Sequence, residues 1–260
     1  MEATNIMEII QFLALEIVIP LGIVALMHFV IGKYPDPLPL EENKRKGILE
    51  TLIFWALVTI FVIALIISGF AEKMADPTAG VLLQFILIMA IPYVLIPVLY
   101  LRLVKKWTLR DFGFRMPVPG SRAIIIFALI IFALSGALPL LNSGFTPLPV
   151  LMIIFALVQP AFYEEFFFRG VIQGNLERVI GQNKAWIYGG ILFGLAHVIP
   201  NYYVEGFELV PGIVQLIMQT VSGWMFGILY MKTRSLWPGM VAHFLTNGVL
   251  ASIIASIFST

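Results

Sequence analysis

Two adjacent acidic residues stand in an otherwise apolar stretch of the sequence. Glu164 and Glu165 are followed by three phenylalanines and then by Arg169. On a helix, Glu165 and Arg169 share a face and can form an ion pair, whereas Glu164 projects about 100° away. Removal from water makes an unpaired carboxylate a stronger base, which suits a general base near neutral pH. The alternative is an ion cluster that only joins helices, but its second carboxylate would make membrane insertion harder.

Two of the three histidines also lie in apolar stretches. His197 ends the segment Phe193-Gly-Leu-Ala-His197, and His243 begins the segment His243-Phe-Leu-Thr-Asn247. A single histidine in a membrane helix more often serves as a hydrogen-bonding group between helices. Here, however, Asn247 lies one helical turn from His243, and burying the polar groups of three segments separately would be costly. We therefore expect these groups and the acidic pair to form one site.

The composition excludes several classes of protein. Of the 260 residues, 60% are hydrophobic and 12% are charged, and the mean hydropathy is +0.97. Globular domains average about 45–50% apolar and about 25% charged residues, so a soluble monomer is excluded. The formal net charge of +1 leaves no surplus of positive charge for nucleic acid. The absence of cysteine excludes thiol catalysis and thiolate metal sites.

Eight stretches are long and apolar enough, or nearly so, to cross a membrane as helices. A spanning helix needs about 20 apolar residues, and the stretches lack the alternation of barrel strands. We predict an all-α, polytopic transmembrane bundle with a single domain over residues 1–260. The predicted spans are Ile9 to Ile31, Ile48 to Phe70, Gly80 to Leu103, Ala123 to Leu141, Leu148 to Val171, Ala185 to Ile199, Gly212 to Met231 and Leu236 to Phe258.

Basic residues lie almost entirely on one side of this arrangement. Fifteen of the 16 lysines and arginines occur in or beside the loops after the first, third, fifth and seventh spans, and Lys73 is the exception. Because Lys and Arg accumulate on the cytoplasmic side, both termini are predicted to be extracytoplasmic. The protein is expected in the plasma membrane of a prokaryote or the endoplasmic reticulum of a eukaryote. His28, near the cytoplasmic end of the first span, is assigned an interfacial role.

The predicted depths of the polar groups in the membrane agree with one another only in part. Counted from the predicted cytoplasmic helix ends, Glu164 and His243 lie about 10 Å deep, so we expect the cluster to open toward the cytoplasm. His197 would lie about 20 Å deep if its helix began at Lys184. The sixth helix therefore has to begin deeper, tilt strongly or follow a re-entrant segment. The sequence leaves open whether Glu16, in the first span, faces the bundle or the membrane edge.

The ordered set of motifs resembles a known family, the CAAX prenyl endopeptidase and bacteriocin-processing intramembrane proteases, which include the Ras-converting CAAX proteases. Each motif alone is weak, whereas three in order in a polytopic chain are specific. The motif-bearing core covers about residues 150–250, and the small size and short loops are similar to those of prokaryotic members. The matching motifs are Glu164-Glu165-x-x-x-Arg169, Phe193-x-x-x-His197 and His243-x-x-x-Asn247.

The resemblance implies an intramembrane glutamate endopeptidase without a cofactor. In such an enzyme Glu164 and His197 would activate a water, while His243 and Asn247 would stabilise the oxyanion. The substrate would be a prenylated protein or peptide, cleaved to remove the C-terminal tripeptide after a prenylated cysteine. Membrane lipid would surround both enzyme and substrate. The motif residues with a supporting role would be Glu165, Arg169 and Phe193.

Two alternatives use the same polar residues differently. A metal-dependent membrane protease would use Glu164, His197 and His243 as zinc ligands, since imidazole and carboxylate suit zinc. The zinc-protease sequence His-Glu-x-x-His is absent, but three ligands from three helices would suffice. A non-catalytic scaffold or a small transporter would use the polar cluster as a structural or relay element. A transporter favours an inverted repeat or paired broken helices, and the sequence shows neither.

Overall fold

All regular structure in the described part of the chain is helical, as the computed structural model shows for residues 14–73, 78–143 and 150–247. The all-α prediction is thus confirmed, and each predicted span corresponds to one helix. Two short helices, Phe70–Lys73 and Val198–Tyr203, follow the second and sixth of them. The eight main helices are α1 (residues 14–30), α2 (Lys44–Ile67), α3 (Ala79–Leu103), α4 (Arg122–Ser143), α5 (Val150–Ile180), α6 (Gln182–Ala196), α7 (Leu209–Thr233) and α8 (Trp237–Thr246).

The helices have the length and surface of a membrane protein. Among the described helices, α2, α3, α5 and α7 are long and apolar enough to cross a membrane, and α1 and α4 contain shorter apolar segments. Many large apolar side chains on the outside are exposed, as Ile67 and Phe29 illustrate. Lipid solvates such a surface, whereas water would not. The chain is an integral, multi-pass membrane protein.

Helix α5 is longer than the sequence predicts. The expected end was Val171, but the helix continues to Ile180, and its part from Leu157 to Gln173 is wound as a π-helix. Gly181 then turns the chain with a φ of 85°, and α6 begins at the next residue. Counted from Gly181, Glu164 lies 17 residues along α5 and His197 lies 16 residues along the other helix, and the two side chains meet at 3.6 Å. The two residues are therefore level, and α6 needs no re-entrant segment.

The pairing of α6 with α7 depends on close backbone contact at two glycines. A Cβ atom added to Gly223 would lie 2.8 Å from the Cα atom of Gly190, and one added to Gly190 would lie 2.3 Å from the Trp224 ring. Small residues at such a contact let membrane helices approach closely. The Trp224 indole also donates a hydrogen bond to the carbonyl of Ile187 at 3.0 Å. These contacts fix the helix that carries His197.

A polar cap closes the end of the bundle where the basic loops meet. Arg234 and Glu177 form a buried ion pair there, and Arg178 and Asp111 form a second pair at 2.9 Å. Lys232 donates hydrogen bonds of 2.8–3.0 Å to three backbone carbonyls at the end of α1. These pairings surround the last turns of α5 with polar groups. We define the polar cap as residues 31–43, 104–121, 171–181 and 232–236.

Parts of the predicted spans lie outside the described residues. These parts are residues 9–13 of the first span, 148–149 of the fifth and 248–258 of the eighth, together with the side chain of Glu16. Within the described residues, His28 is half-buried, and its Nδ1 lies 2.5 Å from the Tyr34 hydroxyl. The histidine therefore has a polar partner at the edge of the polar cap.

The charge asymmetry predicts which ends of the helices an impermeant thiol reagent reaches. The chain has no cysteine, so Ser68→Cys and Asn183→Cys each introduce one thiol at an exposed position. In intact cells we expect labelling of Ser68→Cys, at the end of α2, because the basic loops stay in the cytoplasm. Asn183→Cys, beside the polar cap, should be labelled only after the cells are permeabilised. Labelling of Asn183→Cys but not of Ser68→Cys in intact cells would mean that the bundle has the opposite orientation in the membrane.

Candidate active site

Three helices bring the predicted residues together. Oε2 of Glu164 on α5 lies 3.6 Å from Nε2 of His197 at the end of α6 and 3.9 Å from Nε2 of His243 on α8. Glu164 is 8% exposed and His243 is 7% exposed. The structure therefore brings these three predicted residues together in one cluster. The distances exceed those of ordinary direct hydrogen bonds and leave room for a bridging group.

The second nitrogen of each imidazole has its own acceptor. Nδ1 of His197 lies 2.8 Å from the carbonyl oxygen of Phe193, and Nδ1 of His243 lies 3.0 Å from Oε1 of Glu165. Because a carbonyl or carboxylate oxygen only accepts, these partners assign the proton to Nδ1 in both rings. In a neutral imidazole the Nε2 lone pair then points toward Glu164. Three acceptor atoms thus face one another, and a water molecule between them could donate to two of the three.

Arg169 and Glu165 support this cluster from the protein interior. The two residues are each 1% exposed, and Nη1 of Arg169 lies 3.4 Å from Oε1 of Glu165. The guanidinium lies over the rings of Phe193 and Phe226, at 4.5 and 5.0 Å from their centroids. Such cation–π contacts are strongest where water is excluded. The ion pair expected from the i, i+4 spacing is present and links α5 to its neighbours.

Glycine allows α8 to pass directly over the acidic pair. A Cβ atom added to Gly239 would lie 2.8 Å from Oε2 of Glu165. One turn later, the His243 ring stacks on Phe226, with centroids 4.9 Å apart. The position of His243 is therefore fixed by one hydrogen bond and one ring contact. Neither Gly239 nor Phe226 was among the residues that we selected from the sequence, since contacts between distant helices leave no local pattern.

Asn247 lies at the C-terminal end of α8. The helix ends at Thr246, and Asn247 caps it with a φ of −74° and a ψ of 12°. Because this φ is helical, Asn247 keeps its position one turn after His243. Its side chain is exposed and makes no hydrogen bond to a described residue. The role of Asn247 as an oxyanion donor therefore stays a prediction.

A cavity of about 350 Å³ adjoins Glu164 and His197. It lies between α2, α3, α5 and α6, at the helix ends that point away from the polar cap. The cluster was expected to open toward the cytoplasm. The cavity instead opens at the opposite end of the bundle, because α5 and the polar cap fill the space between Arg169 and the predicted cytoplasmic end. Besides Glu164 and His197, the cavity is lined by Val62, Leu65, Ile66, Phe70, Phe85, Met89, Tyr93, Gln159, Ala196, Pro200, Val204 and Glu205.

The described residues offer no ready-made metal site. No group of three or more of their His, Asp or Glu side chains has an arrangement that could hold a metal ion. Glu164, His197 and His243, the ligands of the zinc hypothesis, are thus close together without forming such a group. Their hydrogen-bonded Nδ1 atoms would nevertheless suit metal-binding histidines, so the hypothesis needs a direct test.

Comparison with known proteins identifies the segment that carries this site. Residues 146–249 match the family model described as Type II CAAX prenyl endopeptidase Rce1-like. A Bacillus subtilis (strain 168) protein named "Putative membrane peptidase YdiL" is 26% identical over 99 residues, which cover 38% of this chain and 35% of that relative. The alignment thus spans about a third of the relative's length. No solved structure gives a significant match. The resemblance carried by the three motifs is confirmed, since residues 146–249 are similar to the Rce1-like CAAX prenyl endopeptidases.

Proposed function

We propose that this chain is an intramembrane glutamate endopeptidase. One observation carries the proposal: a buried carboxylate and an imidazole line an apolar cavity, and a second imidazole lies beside that carboxylate. Structural ion clusters need no cavity beside them, and a scaffold needs no second carboxylate. The similarity of residues 146–249 to CAAX prenyl endopeptidases supports peptide hydrolysis as the reaction.

In the proposed mechanism, a water molecule sits between Oε2 of Glu164 and Nε2 of His197. It donates one hydrogen to Oε2 of Glu164 and the other to Nε2 of His197, whose lone pair is directed there by the Phe193 carbonyl. With both hydrogens held, a lone pair of the water oxygen is free to face the cavity. Positioning the nucleophile in this way is a large part of hydrolytic catalysis.

The reaction then consumes one water for each peptide bond. The water oxygen attacks the carbonyl carbon of the substrate, while Glu164 accepts the proton and the carbonyl π electrons move onto oxygen. When the intermediate collapses, the C–N bond breaks and Glu164 returns the proton to the leaving amine. The products are a carboxylic acid and an amine, and the carboxylate of Glu164 is regenerated.

His243 is proposed to stabilise the oxyanion. Two carboxylates and one guanidinium leave the buried cluster with one net negative charge, which a proton on an imidazole would balance. A protonated His243 would keep its Nδ1 on Glu165 and offer Nε2–H to the oxyanion. We propose Asn247 as a further donor to the same oxygen, in line with the family motif.

The substrate is proposed to carry a prenyl group beside the scissile bond. Removal of a C-terminal tripeptide after a prenylated cysteine is the activity that the family similarity implies. The cavity supports an apolar substrate because most of its lining side chains are hydrophobic. A prenyl chain would also draw the peptide into the bilayer, where an unmodified backbone is costly to insert.

The test is peptide hydrolysis by the purified protein. A farnesylated peptide with a CAAX terminus should release its tripeptide at least about 100-fold faster, in kcat/KM, than the same peptide without the lipid, since each buried CH2 contributes about 0.8 kcal/mol. Equal turnover of both peptides would remove lipid recognition and leave a general membrane peptidase. No hydrolysis of either peptide would favour the scaffold or transporter alternative.

A chelation series in the same assay tests the zinc alternative. If Glu164 is the base, dialysis against a strong zinc chelator should leave the rate within about twofold of the untreated enzyme, because no metal takes part in the mechanism. Loss of activity that stoichiometric zinc restores would instead make Glu164, His197 and His243 metal ligands. The metal content of the active protein, measured by mass spectrometry, provides an independent check.

A further inference from the structure

Tyr93 of α3 packs against the turn of α5 that carries Glu164. The Tyr93 side chain is buried, with 6% exposure. Its ring centroid lies 5.2 Å from that of Phe167 and 6.3 Å from that of Tyr163. These two neighbours stand three residues after and one residue before Glu164. A residue from a different helix is thus held beside the proposed base.

The hydroxyl of Tyr93 has no partner among the described residues. Tyr93 lines the same cavity as Glu164 and His197. The hydroxyls of Tyr163 and Tyr100, in contrast, donate to the carbonyl of Ile86 at 3.2 Å and to Oε1 of Glu50 at 2.6 Å. Buried tyrosine hydroxyls usually find a hydrogen-bond partner, because an unpaired polar group in an apolar site is unfavourable. The molecule that fills the cavity would supply the acceptor.

The backbone at this position also departs from a regular α-helix. Residues Ile91–Leu95 form one π-helical turn within α3, and Pro92, which has no backbone N–H, is part of it. Isolated π turns inside α-helices occur frequently at functional sites. This turn lies beside the π-helical stretch of α5, so both helices are widened where they approach the cavity. The coincidence is independent of the unpaired hydroxyl.

The proposed reaction needs hydrogen-bond donors that the remaining cluster supplies poorly. Glu164 and the Nε2 atom of neutral His197 are acceptors, the protonated His243 of the proposed mechanism offers a single donor, and the side chain of Asn247 is exposed. We infer that Tyr93 is a catalytic residue whose hydroxyl donates a hydrogen bond to the substrate carbonyl oxygen as it becomes the oxyanion. No proton is transferred in this contact, because the hydrogen bond only stabilises charge. The inference rests on the proposed function.

Tyr93→Phe tests the inference with little change in packing, because the ring that contacts Phe167 is kept. Loss of one oxyanion donor typically lowers kcat by about 10²–10³-fold, and we expect such a loss with KM within about twofold of the wild type. The matched control is Tyr163→Phe on the facing helix. It removes a hydroxyl that is bound to the protein, and its kcat should stay within about threefold of the wild type.

Two further measurements separate the possible failures. If Glu164→Gln is inactive in the same assay while Tyr93→Phe keeps its full kcat, the role of Tyr93 is wrong and the glutamate mechanism stands. If Glu164→Gln stays active, or if the wild type hydrolyses no peptide, the proposed function fails and the role of Tyr93 fails with it. A similar loss in Tyr93→Phe and Tyr163→Phe, accompanied by a lower unfolding temperature, would assign Tyr93 to packing and overturn the inference.

Discussion

Glu164→Gln is expected to fold like the wild type and to lose about 10²–10⁴-fold in kcat, the range typical of a general base. The amide keeps the shape of the carboxylate but cannot accept the proton of the attacking water. It would also place an NH2 group or an amide oxygen opposite Nε2 of His197 and His243, which changes how a water is held. Peptide release in single-turnover experiments measures the loss directly.

A surface variant provides the control for this experiment. Glu42→Gln makes the same chemical change at an exposed position outside the cavity, and it should retain full activity. Thermal unfolding in the same detergent should give matching midpoints for both variants and the wild type. If Glu164→Gln hydrolyses the peptide within about tenfold of the wild-type rate, the carboxylate is not the base, and the water must be activated by another group.

Glu165→Gln is expected to lower the free energy of unfolding by about 3–5 kcal/mol, because it leaves the Arg169 guanidinium buried without its charged partner. Arg169 and Glu165 are both almost fully enclosed, so water cannot replace the lost charge. The new amide can still accept the hydrogen bond from Nδ1 of His243. Activity per folded molecule should therefore fall less than in Glu164→Gln.

A double variant distinguishes a lost pair from general disruption. Glu165→Gln/Arg169→Met removes both charges, and the flexible apolar methionine can fill the space between the rings of Phe193 and Phe226. Its unfolding free energy should lie above that of Glu165→Gln alone, although one more residue is changed. If the double variant is less stable than the single one by the full cost of Arg169→Met, the two residues do not interact energetically.

The helices could be predicted from hydropathy, but the end of α5 could not. The polar residues Gln173, Asn175 and Glu177 indicate that the chain leaves the lipid after Val171. Hydropathy measures contact with lipid. The helix continues because Gln173 and Asn175 donate to backbone carbonyls of α7 and α2, and Glu177 pairs with Arg234 of the polar cap. The depth comparison between Glu164 and His197 failed for the same reason, since Glu164 was counted from the lipid boundary instead of the end of α5.

Part of the candidate site could also be predicted, namely the residues that repeat at helical spacing. The pair of Glu165 with Arg169 follows directly from the i, i+4 rule, and the cluster of Glu164 with the histidines follows from the cost of burying polar groups separately. The position of Tyr93 does not, because only the packing of α3 on α5 brings it to the cavity. Asn247 keeps the regular spacing from His243, but its role stays a prediction, because its exposed side chain makes no hydrogen bond to a described residue.

In the proposed mechanism, the burial of α5 between Glu164 and the polar cap affects the order of events during turnover. Almost every residue from Ala161 to Glu177 is enclosed, and the cavity reaches the carboxylate from the other side. A peptide that occupies this cavity would block the path by which water arrives, so the hydrolytic water has to be in place before the substrate. The cleaved, apolar product then has to leave before the site is hydrated again. Slow product release would give a rapid first turnover followed by a slower steady state.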